Sequence, residues 1–124
     1  MVKTVLLVDD SELILEINRY TLEAVGFQVF TALSGFAALE ILGSNSIDLA
    51  IVDINMPGMD GDTLIRKIRR DPVFGEIPII IITTETEARD KKKGFEAGAN
   101  AYIIKPIPPD ELVTNIKMLL GDTP

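Results

Sequence analysis

The sequence predicts an α/β fold, with one five-stranded parallel sheet held between two layers of helices. Three observations predict it. Strand-like and helix-like segments alternate five times along the chain. The strand-like segments are near-continuous apolar runs, as expected of strands buried on both faces. The residues that carry chemistry follow the strand ends, where open α/β sheets form their ligand crevices.

Thr4 to Val8 is the first strand, a short β-branched run. Ser11 to Val25 has apolar residues at helical spacing (Leu13, Ile14, Ile17, Tyr20, Ala24), and Gly26 reads as the helix stop. Gln28 to Thr31 is the second strand. Phe36 to Leu42 is a helix, with Ser34 as its cap and Gly43 as its stop. Leu49 to Val52 is the third strand. Asn55 to Gly61 is a turn-rich loop. The helix after it presents Leu64, Ile65 and Ile68 on one face and ends near Asp71 and Pro72. Ile79 to Ile82 is the fourth strand, and Thr86 to Ala97 a weak helix. Ala101 to Ile104 is the fifth strand. Pro109 to Leu120 is an amphipathic helix burying Leu112, Ile116, Leu119 and Leu120. Right-handed crossovers leave few topologies for five such units.

Residues 1–124 fit one domain with a real core. Composition excludes several kinds of chemistry. There is no Cys, so no disulfide framework and no thiolate zinc site. There is no His, so no imidazole base, ligand or phosphoryl carrier. Catalysis must run on carboxylates, hydroxyls, lysine, backbone and metal ions. The net charge of −7 disfavours nucleic acid and anionic membrane as partners and favours a divalent cation. No apolar run approaches the roughly 18 residues of a membrane span. The residues after Met1 enter a strand directly, so no leader is expected and the expected location is the cytoplasm. The Met1 start and the short tail from Gly121 to Pro124 favour a stand-alone protein over an excised domain.

Asp9 and Asp10 follow the first strand, and Asp53 the third. Thr83 and Thr84 end the fourth, and Lys105 and Pro106 follow the fifth. Only Ala32 and Leu33 follow the second. A strand order of 2-1-3-4-5 gathers the four polar ends and leaves the second strand at an edge. Three carboxylates in one crevice repel each other, and a hard divalent cation relieves that. Lys105 adds a cation and Thr83 a hydroxyl donor. This set suits phosphoryl transfer to a carboxylate nucleophile.

At these residues the chain resembles the response-regulator receivers, or CheY-like domains, of two-component signalling. The matching segments are Val8-Asp9-Asp10, Asp53 with Met56 to Gly61, Ile82-Thr83-Thr84, and Lys105-Pro106. Each is weak alone. Their order and spacing at strand ends make the signal, which spans the whole chain. The resemblance implies a flavodoxin-like (βα)5 three-layer sandwich. It implies that Asp53 is the phosphoacceptor and that Mg²⁺, or Mn²⁺, is bound by Asp10, Asp53 and the Asn55 carbonyl, with Asp9 assisting through water. Thr83 would bond a phosphoryl oxygen, and Lys105 would pair with phosphate or Asp53. The Lys105–Pro106 bond would be cis, aiming the lysine inward. Tyr102 would be the switch aromatic, and Asn55 and Glu85 would tune hydrolysis toward a short-lived phosphorylated state. The implied donor is a phosphohistidine of a sensor kinase or a phosphorelay partner. The output face would be the fourth helix, fifth strand and fifth helix, read by a downstream protein or output domain. Such a domain is a phosphoacceptor switch catalysing its own phosphorylation and dephosphorylation, not a turnover enzyme. In the fourth helix, Gly94 costs about 1 kcal/mol against Ala. Arg89, Lys91, Lys92 and Lys93 give that helix a solvated basic face. A helix this marginal is expected to shift on phosphorylation.

Each feature also has a plain reading. Asp9, Asp10 and Ser11 could cap a helix, Gly58 and Gly61 serve turns, Tyr102 sit half buried, and Lys105 be a surface lysine. Three other functions compete. A haloacid-dehalogenase-type phosphatase needs an acid two residues after its nucleophile, where this chain has Asn55. A flavin binder of this fold wraps phosphate with hydroxyl-rich loops, where this chain has Asp9 and Asp10. A receiver-shaped binding module that is never phosphorylated would not need the acidic set.

Overall fold

Each of the five strand-like runs of the sequence folds as a strand, and the five strands form one parallel sheet in the order β2-β1-β3-β4-β5. The computed structural model describes residues 2–84 and 88–121. Glu85, the predicted helix start at Thr86, the side chains of Ala88 and Arg89, and the tail residues 122–124 lie outside the described residues. The strands are β1 (Thr4–Val8), β2 (Gln28–Ala32), β3 (Leu49–Asp53), β4 (Ile79–Thr83) and β5 (Ala101–Ile104). The helices are α1 (Glu12–Ala24), α2 (Gly35–Ser44), α3 (Gly61–Arg70), α4 (Ala88–Ala97) and α5 (Pro109–Leu119).

Period-two geometry divides each buried strand between two cores. Leu6, Val8, Ala50, Val52, Ile79 and Ile81 join the cluster that holds Leu64, Ile65 and Ile68 of α3. Val5, Leu7, Leu49, Ile51, Ile80 and Ile82 join the cluster under Leu15 and Leu22 of α1 and Leu112 and Ile116 of α5. The sheet is thus the middle layer of three, flavodoxin-like in its strand order. Burial of both faces explains why β1, β3 and β4 read as unbroken apolar runs.

The helix starts follow the sequence. Ser11 Oγ accepts from Ile14 N, Ser34 Oγ from Ala37 N, and Asp60 Oδ1 from Thr63 N. Gly26 follows α1 at φ 99°, the left-handed geometry of a helix stop.

One local expectation needs correction, and packing adds to two others. On α1 the sheet takes Leu15 and Leu22, leaving Leu13, Ile17 and Tyr20 52–78% exposed. The helix carries two apolar stripes, and periodicity does not say which one faces the core. Gly43 does not stop α2; it lies inside the helix, which ends against Asn45, whose N–H donates to Ile41 O. Gly94 is more than a weak helix residue. It is buried against β4, and a Cβ there would collide with Ile81 Cδ1.

Candidate functional site

The parallel register sets the site. Val8 pairs with Val52, and Asp53 with Ile82, so the chain after β1, β3 and β4 emerges at one edge. Thr83 pairs with Ile104, and Lys105 N donates to Thr83 O at 2.8 Å. That brings Lys105 to the same edge. The Lys105–Pro106 peptide bond is cis, as expected.

Asp9 and Asp53 are buried, and Asp10 beside them is exposed. One carboxylate oxygen from each lies within 4.8 Å of the others. Asp9 Oδ1 accepts from Ser11 N at 2.9 Å, and its Oδ2 accepts from Lys105 Nζ at 2.8 Å. Asp9 therefore steadies the entry to α1 while facing the crevice, so its plain and functional readings coexist. Asp53 Oδ1 accepts from Asn55 N at 3.2 Å. Its Oδ2 lies 3.5 Å from Lys105 Nζ.

Burial pushes the Asp53 carboxyl above its ordinary value, and the Asp9 and Asp10 charges add to that. The Lys105 ammonium and the Asn55 N–H oppose the rise without cancelling it. For Lys105, burial works against the charged form. The Asp9 hydrogen bond and the Asp53 and Asp9 charges outweigh it, so the ammonium is held above its usual range.

Thr83 is fully buried beneath this edge, and Asn55 Nδ2 points at its hydroxyl from 3.5 Å. Gly61 sets the wall behind Asp53. Its N–H donates to Ile54 O at 2.9 Å, and a Cβ would fall 2.6 Å from Asp53 O and Ile54 Cα. Only glycine fits there, for close approach rather than for a turn. Gly58, at φ 82°, is the turn residue.

The structure thus gathers Asp9, Asp10, Asp53, Asn55, Thr83 and Lys105 at one sheet edge. Tyr102 stands apart on β5, half buried, with the Lys91 ammonium 5.1 Å from its ring centroid. Lys91 looked like part of a solvated face in the sequence. Its ring contact joins residues on separate elements, and no local pattern signals it.

Three carboxylates with hard oxygen donors, close together and two of them buried, suit a small divalent cation better than any softer metal. A single ammonium only partly offsets them. No helix among the described residues is long and apolar enough to cross a membrane.

Comparison with known proteins agrees with this geometry. The family model described as the response regulator receiver domain matches residues 5–117. The chain is 41% identical to chemotaxis protein CheY1 of Helicobacter pylori over 118 residues, covering 94% of this chain and 95% of that protein. It is 37% identical to the phosphate regulon transcriptional regulatory protein PhoB of Pseudomonas aeruginosa, covering 98% of this chain but 53% of that protein. The chain spans about half the length of several such transcriptional regulators. Among solved structures, chemotaxis protein CheY4 of Vibrio cholerae superposes with a TM-score of 0.92 at 33% identity, covering 96% of this chain and 99% of that one. A CheY-like receiver domain protein from Methanospirillum hungatei gives 0.91 at 30% identity, covering 98% and 96%. With its strand order, its acidic edge and these relatives in agreement, the chain belongs to the response regulator receiver family of two-component signalling.

Proposed function

We propose that this receiver accepts a phosphoryl group on Asp53 from a phosphohistidine of a sensor kinase or phosphotransfer protein. The observation that carries the reading is the buried Asp53 carboxylate, set 3.5 Å from an ammonium and within 4.8 Å of two further carboxylates. A lone buried carboxylate would be a poor nucleophile, because burial favours its neutral form. Lys105 counters that by favouring the ionised form.

In the transfer, an Asp53 oxygen attacks phosphorus. The P–N bond to the donor imidazole breaks as the O–P bond forms, and the imidazole regains its neutral form with a proton from water. Asp9, Asp10, Asp53 and the Asn55 carbonyl would hold Mg²⁺ or Mn²⁺, which supplies charge neutralisation for the phosphoryl oxygens when bound. Lys105 pairs with one phosphoryl oxygen and Thr83 donates its hydroxyl to another. Both stand on neighbouring strand ends joined by the 2.8 Å bond from Lys105 N to Thr83 O, which fixes their spacing.

Return to the resting state is hydrolytic. Water attacks phosphorus, the acyl O–P bond breaks, inorganic phosphate leaves and the carboxylate is restored. Asn55 is exposed beside Asp53, which leaves water a path and favours a short lifetime. Glu85 would share that role. Tyr102 would follow Thr83, and the face of α4, β5 and α5 would carry the state to a downstream protein or output domain. The whole chain acts as one receiver in the cytoplasm, with neither nucleic acid nor membrane as its direct partner.

The test is incubation with Mg²⁺ and acetyl phosphate. A hydroxylamine-labile adduct is expected on the wild type and absent from Asp53→Asn. An adduct that survives in Asp53→Asn would overturn the assignment.

A further inference from the structure

One buried carboxylate takes no part in this chemistry. Asp62 lies in the first turn of α3 and is 7% exposed. Its Oδ1 has no hydrogen-bond partner among the described residues. The Lys93 ammonium reaches toward that oxygen from α4 and stops 3.7 Å away. Half of the Lys93 side chain is in solvent. Among the described residues this is the ion pair that ties α4 to α3. The other charged group acting on Asp62 is Asp60, the cap of α3.

Two features make the contact more than incidental. The backbone that carries Asp62 is held close, because Gly61 before it lies against the backbone of Asp53 and Ile54 and donates its N–H to Ile54 O at 2.9 Å. And the contact is incomplete. A buried carboxylate with one distant, half-solvated partner costs stability and does not supply it. Burial, then the hydrogen bond and charge of Asp60, push the Asp62 carboxyl above its ordinary value, with Lys93 opposing. The hydrogen bond from Thr63 first of all holds Asp60 below its own. Of the two, Asp62 is therefore the one that takes up a proton first as pH falls.

We propose that Asp62 and Lys93 form a latch between α3 and α4, closed when Asp62 is ionised and open when it is protonated or when Lys93 is drawn away. Both are positioning residues for α4. The wall they brace is the one behind Asp53, so the latch ties α4 to the backbone of the acceptor. Its bearing on signalling rests on the reading of Asp53 given above. The latch itself is read on the unmodified protein, so failure of one is distinguishable from failure of the other.

The latch predicts that global stability moves in opposite directions in two variants that both loosen α4. Asp62→Asn removes a costly buried charge, so the thermal midpoint rises, yet it opens the latch. Lys93→Gln leaves Asp62 without its cation, so the midpoint falls, and it also opens the latch. A merely structural ion pair would lower the midpoint in both variants. The experiment is amide hydrogen exchange across residues 91–97, expressed as protection factors, on wild type and both variants. Protection is expected to drop about two- to fivefold in each variant. In wild type it drops by a similar factor as pH falls through the window just above the ordinary carboxylate range. In Asp62→Asn that pH response is absent. Unchanged protection in either variant, a midpoint that falls in Asp62→Asn, or a pH response that persists there would overturn the latch.

Discussion

Lys105 answers two carboxylates at once, bonded to Asp9 at 2.8 Å and 3.5 Å from Asp53. Its removal leaves both buried acids without a cation, at a cost of about 2–3 kcal/mol for Lys105→Met in metal-free urea unfolding at neutral pH. The folded-state pKa of Lys105 is raised, so its contribution is complete below the unfolded lysine range and is lost as pH climbs through the folded value. That alkaline loss is expected in wild type and missing in Lys105→Met. Asp53 follows the same direction in a lower pH range, but there it is the ionised form that is costly. Its folded pKa is also raised, so the fold is penalised as pH rises through that value, and Asp53→Asn should be more stable than wild type in metal-free unfolding at neutral pH. Arg69 is a structural counterpart at the far end of the sheet. Its guanidinium donates to the carbonyls of Gly98, Gly75 and Ile77 and to Asn100 Oδ1. Arg69→Met leaves those acceptors unpaired and should cost about 2–4 kcal/mol, read by the same denaturation. The residues gathered at the sheet edge could be picked out in the sequence because they stand at or just beyond strand ends, a place defined by local pattern. Arg69 could not, because its partners lie up to 31 residues away and a surface arginine looks the same.

At the scale of elements, α4 is where pattern and packing part. Gly94 lowers helix propensity, and the sequence alone reads that as weakness. The structure uses the missing Cβ to seat α4 on Ile81 of β4, which is 1% exposed. Gly94→Ala should therefore fail to deliver the usual helix gain and lower stability by about 1 kcal/mol. Adding Ile81→Val removes the Cδ1 in the way and should restore most of it. Equal stability of wild type and Gly94→Ala in thermal unfolding would show that Ile81 yields freely. The exposed stripe of α1 has the same lesson. Leu13, Ile17 and Tyr20 keep helical spacing as well as Leu15 and Leu22 do, and only the sheet beneath decides between them. Capping serines and strand runs were readable because they act within a few residues.

For the whole molecule, five units, right-handed crossovers and doubly buried strands left the order β2-β1-β3-β4-β5 as the one that gathers the polar ends. The fold was legible for that reason. It concentrates three carboxylates in a chain already at −7, an arrangement suited to a divalent cation. Mg²⁺ should raise the wild-type thermal midpoint by about 4 °C per kcal/mol of binding, and raise that of Asp10→Asn much less. Equal shifts in the two proteins would place the ion elsewhere. The account stands or falls on which oxygen takes the phosphoryl group. Borohydride trapping after reaction with a phosphoryl donor, followed by peptide mapping, reads that directly. The predicted result is homoserine at position 53 and at no other position. Reduction at Asp9 or Asp10, or label retained on a hydroxyl such as Thr83, would contradict it.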